Sequence, residues 1–300
     1  MRFFVLQDYP LTLLELQRFL VADWEHLKPL IDEQGEIKII EGHSQNTETT
    51  IDQILSCLDS ELVAEVESLS GFYCLKGRSD IIKARLSNYA YGIKREKLIR
   101  RYIGGLKYLP FVRGVALAGS QALGQQRKGS DIDLIVVTHP KFLWLTRTLV
   151  TGYFQVLGLR RHGSKVADRF CLNHYLAGPK LITDLRNFYT AGEYLKLRPL
   201  LYQHSIWAFE KINLPWLNSF FPNALLLETF SQEQKGTQAF LEKLFENNFG
   251  TFLEKTLKNW QLPKIRMEKF IVVEEDELSF HPDSKQQGLL SAFAKFQKQQ

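Results

Sequence analysis

Cysteine is scarce in this 300-residue sequence. Cys57, Cys74 and Cys171 are odd in number, widely scattered, and without a CxxC pair. That argues against a disulfide framework and a cysteine zinc site. It fits a reducing compartment, so a cytoplasmic location is expected. No apolar run approaches the roughly 20 residues needed to cross a bilayer, which argues against a membrane role. The apolar run at Met1 to Leu6 is too short for a secretory leader. Internal repeats and low-complexity tracts are missing, which makes disorder and fibrous classes poor readings. A strong charge of one sign is missing too. Lys and Arg number 38 against 33 Asp and Glu, a net charge of +5. So mild a surplus mainly keeps a protein soluble, and nucleic acid is the less favoured partner.

What is present is apolar and aromatic. Hydrophobic residues make up 45% of the chain, and 21 are Phe. That suffices for large aromatic cores, and the length suits about two domains.

Periodicity gives a coarse map. Leu11, Leu14, Leu16 and Leu20 suit a helix starting just after Pro10, and the polar residues 42–49 read as a loop. Ile51, Ile54, Leu55 and Leu58 share a second helical face, and Leu62, Val66 and Leu69 suggest a third. Gly71 and Gly77 bracket an aromatic strand, which is hairpin chemistry. Helices followed by a short hairpin make a winged-helix-like module of residues 1–78. Its third helix, residues 60–67, carries three Glu and no Lys or Arg, so it suits a packing platform better than a DNA reader. Lys76 and Arg78 in the wing keep nucleic-acid contact as the alternative.

Residues 80–108 read as helical and strongly basic. Leu98, Tyr102 and Leu106 face inward, and Arg85, Lys94, Arg95, Lys97, Arg100 and Arg101 fall on a mostly solvated face. Residues 112–118, 131–137 and 170–176 read as strands and 141–158 as a helix, a compact α/β unit within a core of residues 79–190. Residues 191–300 read as mainly helical. There Thr190 and Glu193 have capping-box spacing, and Arg198 reads as a helix-end charge. The Trp207 to Phe221 aromatic cluster is interrupted by Pro215 and Pro222. Residues 241–260 read as one amphipathic helix and 270–273 as a strand. The acidic run 274–277 reads as solvated, and 288–300 as a short frayed helix.

The chemistry centres on Gly119-Ser120, then ten residues, then Asp131-Ile132-Asp133. On a strand, Asp131 and Asp133 point the same way. Two carboxylates so close repel unless a cation joins them, and hard oxygen donors suit Mg²⁺ or Mn²⁺. Gly119 removes a side chain where a strand ends, so a phosphate can approach the backbone. Ser120 adds a hydroxyl and an N–H. Ser130 can steady the turn, and Lys128 can reach a triphosphate.

A hydrophobic strand, Gly-Ser, about ten residues, then Asp-x-Asp inside a second hydrophobic strand resembles the signature of the DNA polymerase β-like nucleotidyltransferases. The resemblance covers roughly residues 95–190. The wider chain is similar to a subgroup of bacterial nucleotidyltransferase-domain proteins with an N-terminal winged-helix-like module, through residues 71–78, 109–113, 169–176 and 189–193. It implies an α/β (α+β) fold: a mixed sheet with flanking helices, the N-terminal module, and a mainly helical C-terminal region. It also implies transfer of NMP from an NTP to a hydroxyl of a small molecule, RNA or protein, with Mg²⁺ or Mn²⁺ held by Asp131 and Asp133. The superfamily places a third carboxylate on the next strand, where the match here is Asn173. An amide can lend a carbonyl oxygen but neither charge nor basicity. The alternative is therefore a degenerate nucleotidyltransferase-fold binding or regulatory protein. On a regular strand His174 faces away from Asn173, and Asp168 and Asp184 read as surface turn residues.

Overall fold

A computed structural model describes residues 1–21, 49–180, 186, 188–224, 236–266, 272–280, 288–289 and 291–293. Expectations for residues 22–48, for Asp184 and for most of 288–300 lie outside the described residues.

Near the N-terminus, strand β1 (Leu11–Thr12) leads into the helix Leu13–Arg18. The Thr12 side chain accepts from the Glu15 N–H, and the Glu15 carboxylate accepts from the Thr12 N–H, a reciprocal cap. The expected second helix is Ile51–Asp59, capped in the same way by Thr50 and Gln53. The expected third helix over residues 60–67 does not form. The Leu62 N–H donates to Cys57 O at 3.0 Å, and the Glu65 N–H to Leu62 O at 3.0 Å, which turns the chain. Residues Val66–Leu69 then run as β2, antiparallel to β3 (Phe72–Leu75). Ser70 and Gly71 both take positive φ, 53° and 79°, as a tight hairpin needs. Strand pairing wins over helical spacing here. Glu67 closes the hairpin by accepting the Arg78 N–H at 3.0 Å. β1 pairs with β3 to complete a three-stranded sheet, ordered β1-β3-β2.

The larger sheet has six strands. β4 (Val112–Leu117), β5 (Ile132–Thr138), β6 (Phe170–Ala177), β7 (Arg198–Leu201), β8 (Val272–Val273) and β9 (Glu277–Ser279) lie in the order β7-β4-β5-β6-β9-β8. β5 and β6 are parallel, and every other neighbouring pair is antiparallel. β5 reads Ile-Asp-Leu-Ile-Val-Val-Thr, almost continuously apolar, because both faces of the sheet are covered. Ile135 and Val137 enter one core with Phe188, Ala191, Ile206 and Phe209. Leu134 and Val136 enter the other with Ile99, Ile103, Trp144 and Phe154. The first face is covered by the helices Phe188–Leu195 and Gln203–Phe220, the second by Tyr89–Ile103 and Leu143–Val156. The flanking helices therefore lie on both faces of the sheet. The N-terminal aromatics join the first core: the rings of Phe3 and Phe188 meet edge-on at 4.7 Å.

Five further expectations change. The helix containing Thr190 begins at Phe188, so Thr190 is no cap, and Glu193 instead pairs with Lys196 at 3.0 Å. Arg198 lies in β7 and pairs with Glu96 at 2.5 Å. Helix Gln203–Phe220 runs through Pro215, and residues 241–260 divide between Gly236–Phe245 and Asn248–Arg266. The acidic run is not solvated throughout, because Glu277 is buried against His174 at 2.8 Å and Lys180 at 3.2 Å. No helix among the described residues is long and apolar enough to cross a membrane.

Candidate active site

β4 delivers the chain to Ala118, whose N–H donates to Asp133 O at 3.0 Å and extends the ladder by one bond. The backbone then turns at Gly119, with φ +64°, into the single turn Gly119–Ala122. A Cβ on Gly119 would lie 3.0 Å from Asp133 Oδ2, so this backbone is pressed against the carboxylate. That close approach, together with the left-handed φ, is a physical reason for glycine here. Ser120 is exposed beside it.

Asp131 precedes β5, and Asp133 is its second residue. Both are half-buried. One carboxylate oxygen from each, and Cys171 Sγ, lie within 4.8 Å of one another. Strand alternation therefore brings the two acids together next to Gly119.

The third member of the cluster is Cys171. Asp133 pairs with Cys171 in register, and Ile135 pairs with His174. β6 thus spends three residue steps where β5 spends two, a bulge that puts Cys171 and His174 both on the Asp133 side. The expectation for His174 assumed a regular strand and is corrected. It lies on this face but is fully buried and bonded to Glu277. Asn173 lies on β6, and its side chain is outside the described residues.

The basic helix supplies an unexpected support. The Arg95 side chain is completely buried, not solvated. It donates to Ser130 Oγ at 2.8 Å, to Ser130 O at 2.7 Å and to Asp131 O. It also pairs with Asp168 at 3.4 Å, which accepts the Tyr91 hydroxyl at 2.5 Å. Ser130 Oγ in turn donates to Arg127 O at 2.9 Å. Ser130 therefore steadies the turn, Asp168 is part of that brace, and Lys128 is exposed in the loop. Arg85 is also internal: it pairs with Glu15 at 3.1 Å and lies over the Phe72 ring.

Arg161 follows the helix Leu143–Val156. Its guanidinium reaches Asp131 Oδ2 at 2.5 Å and Cys171 Sγ at 3.2 Å. Burial and the neighbouring Asp133 charge push the Cys171 thiol up to about 12, so it is protonated at neutral pH. Burial, with the charges of Glu193 and Asp133, likewise raises Tyr189. The donor chemistry divides accordingly. Asp131 and Asp133 offer hard oxygens that fit Mg²⁺ or Mn²⁺, whereas the sulfur of Cys171 is a soft donor that those cations do not favour. Sequence reasoning missed Cys171, Arg95 and Arg161. Only Arg95 left a signal, through its spacing to Tyr91, Leu98 and Tyr102.

Residues 99–161 match the model of the nucleotidyltransferase domain family. The match includes Gly119, Ser120, Asp131 and Asp133, runs to Arg161, and ends before Cys171. No curated protein shows significant similarity to the chain, and neither does any solved structure.

Proposed function

We propose that this chain is a metal-dependent nucleotidyltransferase that moves NMP from an NTP to a hydroxyl acceptor. The observation that carries the reading is the meeting of Asp131 and Asp133 against the Gly119 turn, inside the stretch that matches the family. Asp131 and Asp133 would hold Mg²⁺ or Mn²⁺. A divalent cation bound there supplies charge neutralisation for the triphosphate and the leaving pyrophosphate. The chain supplies position. Gly119 leaves room for a phosphate at the backbone, and Ser120 presents an exposed hydroxyl to it. Arg95 fixes the peptide that carries Asp131. The acceptor is a small molecule, an RNA end or a protein side chain. DNA reading by the N-terminal segment is not part of the proposal, because the helix that would have carried it is a turn and a strand. The three free thiols suit a cytoplasmic protein.

The test incubates the protein with each α-³²P-labelled NTP and Mg²⁺ or Mn²⁺, with and without cell extract. Label should move onto one class of extract component and should be lost in Asp131→Asn/Asp133→Asn. Absence of metal-dependent binding of ATP, GTP, CTP and UTP overturns the reading. A second reading, a nucleotide-binding regulatory protein without transfer, is favoured by one observation: the third member of the cluster is a protonated thiol rather than a carboxylate. It predicts metal-dependent NTP binding with no labelled product.

A further inference from the structure

The Arg161 guanidinium lies where the site would be expected to receive positive charge. It contacts Asp131 Oδ2 and Cys171 Sγ, on two of the three residues that come together there. Its backbone is fixed: the Arg161 N–H donates to Phe170 O at 3.0 Å, and the adjoining hairpin closes between His162 and Lys165. Its side chain is 43% exposed against 17% for Asp131, so the guanidinium is the more solvent-accessible partner of the pair. A triphosphate arriving from solvent therefore finds the guanidinium accessible. Residues 158–167 include Arg160, Arg161, His162 and Lys165 and no acidic residue, so the rim itself favours phosphate.

We propose that Arg161 is a tethered counter-cation, a positioning residue that occupies Asp131 until metal and nucleotide arrive together and then transfers to the triphosphate. The inference rests on the nucleotidyltransferase reading. Its physical basis is competition for one carboxylate oxygen. Asp131 Oδ2 cannot donate fully to Mg²⁺ or Mn²⁺ while it accepts a short charge-assisted bond from Arg161. Metal alone must break that bond and leave the arginine only water and Cys171 Sγ in exchange for a carboxylate. Metal carrying a triphosphate brings the replacement partner, because a guanidinium fork matches phosphate oxygens. A side-chain rotation suffices, since the backbone stays anchored to β6. The consequence is weak binding of free metal and coupled binding of the metal–nucleotide pair.

The test measures Mn²⁺ by electron paramagnetic resonance, first alone and then with ATP, GTP, CTP and UTP in turn. It uses the whole protein as wild type, Arg161→Gln and Arg161→Lys. Loss of one charge-assisted competitor should tighten Mn²⁺ alone in Arg161→Gln by about tenfold or more, and loss of the phosphate contact should weaken the Mn²⁺–nucleotide pair by about tenfold or more. Arg161→Lys keeps the charge without the fork. It should again hold Mn²⁺ off and recover only part of the nucleotide affinity. A merely structural arginine would weaken both arms together. Unchanged or weaker Mn²⁺ binding by Arg161→Gln, including no binding by any variant, overturns the proposal. So does undiminished nucleotide affinity. The Mn²⁺ arm needs no nucleotide. If it behaves as expected while wild type binds no NTP, the competition for Asp131 stands. In that case the transfer to triphosphate falls along with the nucleotidyltransferase reading.

Discussion

Replacing Arg95 by Met should damage stability and the site at once, although the residue lies behind the site rather than in it. Met conserves much of the buried stem and removes the charge and every donor. Three acceptors lose their partner: Ser130 Oγ, Ser130 O and Asp131 O. A hydrogen bond from a charged donor contributes about 1.5–3 kcal/mol. The three together set a ceiling of roughly 5–9 kcal/mol, against which stands the several kcal/mol that a buried guanidinium costs in lost hydration. Asp168 softens the loss, because it is 42% exposed and can return to water. Breaking a buried charged pair by removing one partner costs about 3–5 kcal/mol, and the lower end, about 3 kcal/mol, is expected here.

Urea unfolding followed by circular dichroism reads that number. Calorimetry with Mn²⁺ and NTP reads the second effect, because the freed Asp131 peptide should no longer hold its carboxylate against Asp133. Arg95→Lys should fall between, since one ammonium cannot span three acceptors as the planar fork does. A loss below about 1 kcal/mol would refute the energetic argument. A full loss of stability with undiminished metal–nucleotide binding would refute the claim that Arg95 positions Asp131.

Gly119→Ala should cost about 1–2 kcal/mol from the left-handed φ alone, and its Cβ, 3.0 Å from Asp133 Oδ2, should also displace that carboxylate and weaken Mn²⁺–NTP binding. Urea unfolding and calorimetry check both effects, and unchanged values would mean the turn has room to relax. Glu210, pushed up to about 7 by burial with Arg18 pulling the other way, should make stability pH-dependent. Its unfolded-state carboxyl ionises near pH 4.5 while the folded one stays protonated, so the folded state loses stability as pH rises from there to about 7. Glu210→Gln should therefore gain on wild type by the order of 1–3 kcal/mol between pH 4 and pH 8, read by urea unfolding at both. A constant difference across that range would show that Glu210 ionises normally.

The sheet was legible because its strands say so in their own residues. Val112–Leu117 and Ile132–Thr138 are runs of branched apolar side chains, and such runs have few alternatives to a strand covered on both faces. The helix expected over residues 60–67 failed for a reason that local spacing cannot reveal. Val66–Leu69 has a partner in Phe72–Leu75 only once Ser70 and Gly71 turn, and pairing across that turn outweighs the i, i+4 spacing of Leu62 and Val66. Arg95 is an instructive miss. It stands four residues after Tyr91, three before Leu98 and seven before Tyr102, on the apolar stripe of its own helix. Its charge argued for solvent, but its register argued for burial, and a buried cation signals that backbone carbonyls nearby need a donor.

The same contrast explains why half of the site could be read and half could not. Gly119, Asp131 and Asp133 depend on two local facts, a strand end and the period of two along β5, and both hold in the structure. What else joins the acids depends on the register between β5 and β6, where β6 carries a single extra residue. The expected third position, Asn173, rests on the resemblance, and its side chain lies outside the described residues. Cys171 pairs with Asp133 just before the bulge, and the extra residue carries His174 onto the same face, where Glu277 of the edge strand β9 takes it. Arg161 depends on still more, since it reaches Asp131 only because its hairpin is pinned to Phe170. Each step away from a single strand adds a pairing that the sequence does not spell out. The acids were therefore legible, while the groups that tune their charge were set by tertiary contacts.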